Sequence, residues 1–233
     1  MNRRGFLAAS TVIAASGATP GEVVPGGTHL VERRADFDAA AFGRAVGRPA
    51  QIRQLYEAVA FRPAVLNNVK NSFNGLQFGF GYSPSTIAVA LAAHGPSAVY
   101  GYGDELWGKY RLGEFFKLTD ATGNPIVSNV FVVKRAVIDA AADPDDPAGM
   151  YQDTSLEMLQ HRGLVVLICH TAVEEQARGL VKGGFAPAGA SANDVADELL
   201  THLIPGAVVV PAMVATIAVL QAKYRYTYLS PEL

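Results

Sequence analysis

The chain's single cysteine and two of its histidines combine residue types and positions that can do chemistry. Cys169 ends the apolar run of residues 164–168 and is followed directly by His170, and His94 follows a second apolar run, residues 86–92. A thiolate is a nucleophile and a metal ligand, and a histidine beside a thiol can hold it in that form. Cys169 is therefore the candidate catalytic residue, and His94 and His170 are candidate ligand-binding or supporting residues.

The elements around Cys169 predict where its side chain lies. Residues 164–168 are apolar and rich in β-branched side chains, which predicts a buried strand, and Val173 to Leu180 predicts a helix that Thr171 can cap. A strand followed by a helix places Cys169 at the carboxyl edge of an α/β sheet, where such folds bind ligands. The start of a helix also favours the thiolate. An accessible, reactive thiol is therefore one prediction.

Each of these residues also has an ordinary structural interpretation. A free cysteine is often a small, buried core residue, and His94 beside Gly95 can be a turn residue bonded to the backbone. Because His170 adjoins Cys169 at a helix start, it points elsewhere and is expected to contact a ligand or solvent. Three nitrogen and sulfur donors can also bind a transition metal or haem. The chain has no Cys-x-x-Cys, Cys-x-x-Cys-His or His-x-x-x-His motif, so no cofactor is assigned.

Composition and missing motifs exclude several other functions. Lys and Arg number 19 against 21 Asp and Glu, and no basic run is long enough to indicate a nucleic-acid partner. The chain also has no Gly-x-Ser-x-Gly elbow, no phosphate-binding Gly-rich Lys-Ser/Thr loop and no dinucleotide fingerprint. Serine hydrolases, P-loop nucleotide hydrolases and Rossmann dehydrogenases are therefore not indicated.

The first 18 residues have the features of an export signal. Arg3 and Arg4 precede Gly5-Phe6-Leu7, a short apolar region and small residues suited to cleavage, and the paired arginines resemble the twin-arginine signature. The apolar region is too short for a stable membrane span. We therefore predict a signal peptide over 1–18, a linker over 19–34, and a mature periplasmic protein, exported folded, with no membrane segment.

The remaining chain predicts a single α/β domain with a mainly parallel sheet. Helices are predicted over 36–46, 49–61 and 63–76, which form an N-terminal helical extension, residues 35–80, packing on the domain. Over 81–233, apolar strand patterns alternate with helical patterns, which favours a parallel sheet. The strands are expected at 86–92, 164–168, 207–210 and, as an edge strand, 225–229. Residues 119–151 are expected to be mostly loop.

Residues 86–229 resemble the DsrE/DsrF-like family of sulfur-relay proteins. The resemblance rests on His94-Gly95 after a strand, on LVVLICHT around Cys169, and on ADELLTHLIPGAVVVPAMVATIAVLQAKYRYTYL. It implies a flavodoxin-like parallel sheet, an oligomer, and a persulfide carried on the cysteine. Cys169 is the matching position, whereas no catalytic role carries over to His94. The signal peptide, the N-terminal extension and the long segment over 100–150 depart from that pattern.

These observations lead to one expected function and two alternatives. We expect a periplasmic DsrE-like protein that handles sulfur as a persulfide on Cys169, which as an enzyme would be a thiol-dependent sulfurtransferase. Its expected partners are further copies of itself and a sulfur donor or acceptor protein. One alternative is a non-catalytic periplasmic protein that binds a metal, haem or a small ligand near His94, Cys169 and His170. The other is a structural subunit of an exported complex.

Overall fold

Five parallel strands form one sheet in the computed structural model, which describes residues 31–32, 34 and 37–230. The strands lie in the order β4-β3-β2-β1-β5. Their bounds are β1 Ile52–Ala58, β2 Ile87–Ala93, β3 Leu164–Cys169, β4 Val208–Val210 and β5 Thr227–Leu229. The predicted α/β domain with a parallel sheet is therefore confirmed. Arg3, Arg4 and the rest of the predicted signal peptide lie outside the described residues.

Helices flank this sheet. Their bounds are α1 Ala39–Val46, α2 Ala64–Asn74, α3 Asp104–Lys109, α4 Leu112–Phe116, α5 Leu156–His161, α6 His170–Lys182, α7 Ala192–Thr201 and α8 Met213–Ala222. A π-helical turn, Gly75–Gly79, extends α2, and a 3₁₀ segment, Gly95–Gly101, follows β2. Within the described part of the chain, every helix is too short or too polar to cross a membrane.

The central strand of the sheet is β2, and all seven of its residues are buried. It pairs with β1 on one side and β3 on the other, so that Glu57, Ala92 and Leu167 lie in one row. The strand order differs from that of flavodoxin. In flavodoxin the first strand lies between the second and the third, whereas here β2 lies between β1 and β3. Because all strands run the same way, their carboxyl ends share one edge of the sheet.

The helix predicted over 49–61 is wrong, because β1 occupies its centre. Apolar residues at helical spacing suggested a helix, but Leu55 and Tyr56 are buried as neighbours in a strand between β2 and β5. Arg53 donates to the carbonyl oxygens of Val46 and Arg48, at 3.0 and 2.6 Å. Long-range pairing thus outweighs the local pattern. Residues 35–80 contribute an inner strand, β1, to the sheet as well as helices.

Local sequence signals account for two of the helix ends. Ser191 and Asp194 form a reciprocal capping box at the start of α7, and Gly163 ends the α5 turn with a φ of 103°. Thr171 does not cap α6, because that helix begins at His170 and Thr171 lies within its first turn. The Thr171 hydroxyl instead donates to the Pro211 carbonyl oxygen, 3.2 Å away. The last strand, β5, lies at the edge of the sheet as predicted.

Gly101 closes the 3₁₀ segment against β3, and a side chain there should destabilise the fold. A Cβ at Gly101 would overlap the Ile168 side chain, next to Cys169, whereas a Cβ at Gly79 would meet open space. We expect Gly101→Ala to lower the free energy of unfolding by about 1–3 kcal/mol, the usual cost of overpacking a core. Urea denaturation measures this, with Gly79→Ala as the matched control. Equal stability of the two variants would contradict the packing described here.

Candidate functional site at the carboxyl edge of the sheet

Cys169 ends β3, and its sulfur lies at the start of two helices. The following residue begins α6, which has 13 residues, and Cys169 is its N-cap residue. The Cys169 Sγ accepts a hydrogen bond from the Met213 backbone N–H at 3.3 Å, and Met213 is the first residue of α8. Helix N-termini and amide N–H groups both stabilise negative charge on an atom placed there.

The thiol is nevertheless buried, with 5% of the residue exposed. The accessible thiol predicted from the sequence is therefore wrong for the isolated chain. Residues 211–213 cover the end of β3, because the Thr171 backbone N–H also donates to the Pro211 carbonyl oxygen, at 3.3 Å, and Met213 is itself buried. This connection from β4 to α8 closes over the sulfur from a distant part of the chain.

His94 lies at the end of the neighbouring strand and is held by a carboxylate. Its Nε2 is 2.9 Å from Glu57 Oε1, and the second carboxylate oxygen of Glu57 accepts a hydrogen bond from the Tyr228 hydroxyl. The His94 and Glu57 side chains are 16% and 15% exposed. Glu57 lies on β1 and Tyr228 on β5, and His94 directly follows β2, so three neighbouring strands position this triad.

The triad and Cys169 lie on the same face of the sheet. Glu57 is in the row of Leu167, and Cys169 is two residues beyond Leu167, which returns its side chain to that face. Parallel strands are about 4.8 Å apart, and β2 and β3 are direct neighbours. The structure thus brings His94 and Cys169 to adjacent strand ends, but it directs the His94 Nε2 to Glu57 and gives no hydrogen bond between the imidazole and the thiol.

His170 lies on the other side of β3. Its Nε2 is 3.8 Å from Glu174 Oε1 within α6, and both side chains are buried. It lines a cavity of about 380 Å³ together with residues of α1, α7 and β4. The three residues selected from the sequence therefore occupy two neighbouring places, with His94 and Cys169 in one and His170 in the other.

A buried network connects the two strand ends that carry His94 and Cys169. Gln176, on α6, donates from Nε2 to the Gly95 carbonyl oxygen at 2.5 Å, and its Oε1 accepts a hydrogen bond from the Tyr102 hydroxyl. Burial raises the pKa of Tyr102, and a negative charge on Cys169 raises it further, so this hydroxyl stays protonated and donates. The turn after His94 is thereby fixed to the helix after Cys169.

Within residues 31–32, 34 and 37–230, no three His, Cys, Asp or Glu side chains gather as the ligands of a metal ion would. Of the donors predicted from the sequence, His94 and Cys169 lie at adjacent strand ends and His170 lies on the other side of β3, so the three do not converge on one point.

Three residues of the candidate site were not predicted from the sequence. Glu57 was not selected because its segment was predicted to be a helix. If the segment had been interpreted as a strand, a carboxylate next to the strand end would have indicated a site residue. Tyr228 lies in a strand that was predicted, but no local pattern indicated that its hydroxyl contacts Glu57. Gln176 lies in a predicted helix and has no local signal, because its partners are 81 and 74 residues away.

Comparison of the chain with protein-family models, with curated proteins and with solved structures gives no match. The fold and the site geometry are thus the basis for a functional proposal.

The Gln176 network should be energetically coupled. Gln176→Leu leaves the buried Tyr102 hydroxyl without its acceptor, which costs about 1–3 kcal/mol, and Tyr102→Phe leaves Gln176 without a donor. We expect the double variant to lose less stability than the sum of the two single variants. Chemical denaturation measures all four proteins, with the exposed Gln51→Leu as the control. Strict additivity would show that the two side chains do not interact.

Proposed function

We propose that the protein handles sulfur as a persulfide on Cys169. The observation that carries this proposal is the hydrogen bond from the Met213 N–H to the Cys169 Sγ, which places the sulfur at the starts of α6 and α8. Helix N-termini and backbone amides stabilise negative charge, and the thiolate is the form of cysteine that attacks another sulfur atom. The resemblance of residues 86–229 to the DsrE/DsrF-like family points to the same chemistry.

The proposed step is an exchange between two sulfur atoms. The Cys169 thiolate attacks the terminal sulfur of a donor R–S–SH, forming a new S–S bond as the S–S bond of the donor breaks. The products are Cys169–S–SH and the thiolate R–S⁻, and the terminal sulfur keeps its proton. No external oxidant or reductant is required. Delivery of the same sulfur atom to the thiolate of a small acceptor molecule is the reverse exchange with a new partner.

The burial of Cys169 constrains the donor. With 5% of the residue exposed, the sulfur admits a small reagent more readily than a protein surface. We therefore propose inorganic polysulfide or a low-molecular-weight persulfide as the donor. His94, oriented by Glu57 and Tyr228 at the adjacent strand end, is proposed as the supporting group that holds a proton near the reacting sulfur.

Export to the periplasm is part of the same proposal. It rests on Arg3 and Arg4 and the apolar region after them, which resemble a twin-arginine signal. Twin-arginine export carries folded proteins, so a buried thiol would reach the periplasm already enclosed by its fold. A lone cysteine covered in this way has no intramolecular disulfide partner.

A second candidate function is the binding of a small ligand without catalysis. The cavity beside His170, of about 380 Å³, favours this candidate, because it lies within the size range of small-molecule sites and includes the His170 imidazole. It does not involve Cys169. Substitution of Cys169 therefore separates the two candidates.

The persulfide proposal predicts that native protein gains sulfur on incubation with inorganic polysulfide. Intact-mass spectrometry should show one added sulfur atom, removed by a reductant, and Cys169→Ser and Cys169→Ala should show none. His94→Gln should slow the gain while leaving the final mass unchanged. The exposed His202→Gln is the matched control. Native protein that gains sulfur only after it unfolds would overturn the proposal and leave the ligand-binding candidate.

The outer face of α8 and the edge strand β5 predict a homo-oligomer, which we propose as the assembly of this protein. The helix has no charged residue, and Val214 and Val219 are 69% and 43% exposed, while Tyr228 and Leu229 on β5 are also exposed. Light scattering at micromolar concentration should show more than one copy, and Val214→Glu should shift the population towards monomer. The loop variant Val137→Glu, at a residue that is 81% exposed, should leave it unchanged. A wild-type monomer would contradict the proposal.

A further inference from the structure

A second cavity lies at the amino edge of the sheet, at the end opposite to Cys169. Its volume is about 340 Å³, and its walls come from α2, the π-helical turn, the start of β2, the loop over 139–152 and the end of α5. Single π-helical turns are frequent at functional sites, and Gln77 of this turn is one of the lining residues.

Arg162 is the central charged group of this cavity. Its Nη2 donates to Asn74 Oδ1 at 2.8 Å, and the guanidinium lies 5.1 Å from the ring centres of both Phe73 and Tyr151. The buried Nη1 has no hydrogen-bond partner among the described residues. Burial lowers the pKa of Arg162 to about 10, so the side chain still carries its charge at neutral pH.

Arg48 adds a second guanidinium to the same wall. It donates to the carbonyl oxygens of Ser85 and Ile87, so its position is fixed by the start of β2. The Arg48 guanidinium also packs close to Gly163, because a Cβ built on Gly163 would lie 3.0 Å from the Arg48 Nη2. His161, which is exposed, lies at the rim.

The cavity therefore holds two positive charges and no negative one. None of its lining residues is Asp or Glu, and neither Arg48 nor Arg162 forms an ion pair within the described part of the chain. A partly buried guanidinium that lacks a carboxylate partner is stabilised by an anionic ligand, and the planar fork suits a carboxylate.

The other residues that line the cavity indicate the chemistry of the rest of the ligand. They are formed largely by apolar side chains, namely Phe73, Pro84, Ile87, Met150 and Tyr151. We infer that this cavity binds a small carboxylate with a flat apolar body, such as an aryl carboxylate, with the carboxylate on the Arg162 guanidinium and the body against the rings. This site is separate from the proposed sulfur chemistry at Cys169.

The experiment uses benzoate as the probe and benzamide as its neutral isostere. Calorimetric titration and thermal unfolding of the full chain should show binding and stabilisation by benzoate and neither effect with benzamide. Arg162→Gln should weaken benzoate binding about tenfold or more, the usual loss for a charge-assisted pair. Arg44→Gln, an exposed arginine on α1, is the matched control and should bind benzoate as the wild type does.

A second measurement keeps the test independent of whether Arg162→Gln folds. Phenylglyoxal modifies arginine side chains, and peptide mapping of the wild type should show that benzoate protects Arg162 but not Arg44. Cys169→Ser should bind benzoate normally, so failure of the persulfide proposal leaves this one standing. Equal binding of benzoate and benzamide, or the absence of protection at Arg162, would overturn the inference.

Discussion

The parallel pairing of β2 with both β1 and β3 is the constraint on which the rest of the structure depends. Every residue of β2 is buried, and its alanines allow the flanking layers to approach closely. The register of these pairs aligns Glu57 with Leu167 and so places His94 and Cys169 at neighbouring strand ends. A slip of one residue would turn Cys169 to the opposite face, away from the start of α8.

The same parallel arrangement separates the charged groups between the two edges of the sheet. At the amino edge, Arg48 and Arg53 donate to backbone carbonyl oxygens, which fixes the connection between α1 and β1 without carboxylates. At the carboxyl edge, Glu57 and His94 satisfy each other near the sulfur of Cys169. The two edges therefore differ in the charged side chains that they carry and in the partners of those side chains, which are backbone carbonyl oxygens at the first edge and other side chains at the second.

Local sequence patterns predicted much of this fold, because apolar strands and capped helices are local features. The strands around Cys169 and before His94 and the edge strand β5 were all predicted. The strand β1 was not, since Arg53 and Glu57 suggest an exposed helix surface when viewed alone. Their hydrogen-bond partners are seen only in the folded chain. Arg53 donates to the carbonyl oxygens of Val46 and Arg48, and the Glu57 carboxylate contacts His94 and Tyr228.

The environment of Cys169 likewise combines a feature set by neighbouring residues with one set by a distant segment of the chain. Its place at a strand end follows from the apolar run before it, but its exposure is decided by residues 211–213, more than 40 positions later. A buried sulfur is ordinarily an inert core atom. Here the segment that buries it also supplies the Met213 N–H at the start of α8, so the burial of the sulfur and its hydrogen bond from a backbone amide come from the same segment. Enclosure of the sulfur thus limits which reagents can reach it, while the sulfur keeps its contact with the start of α8.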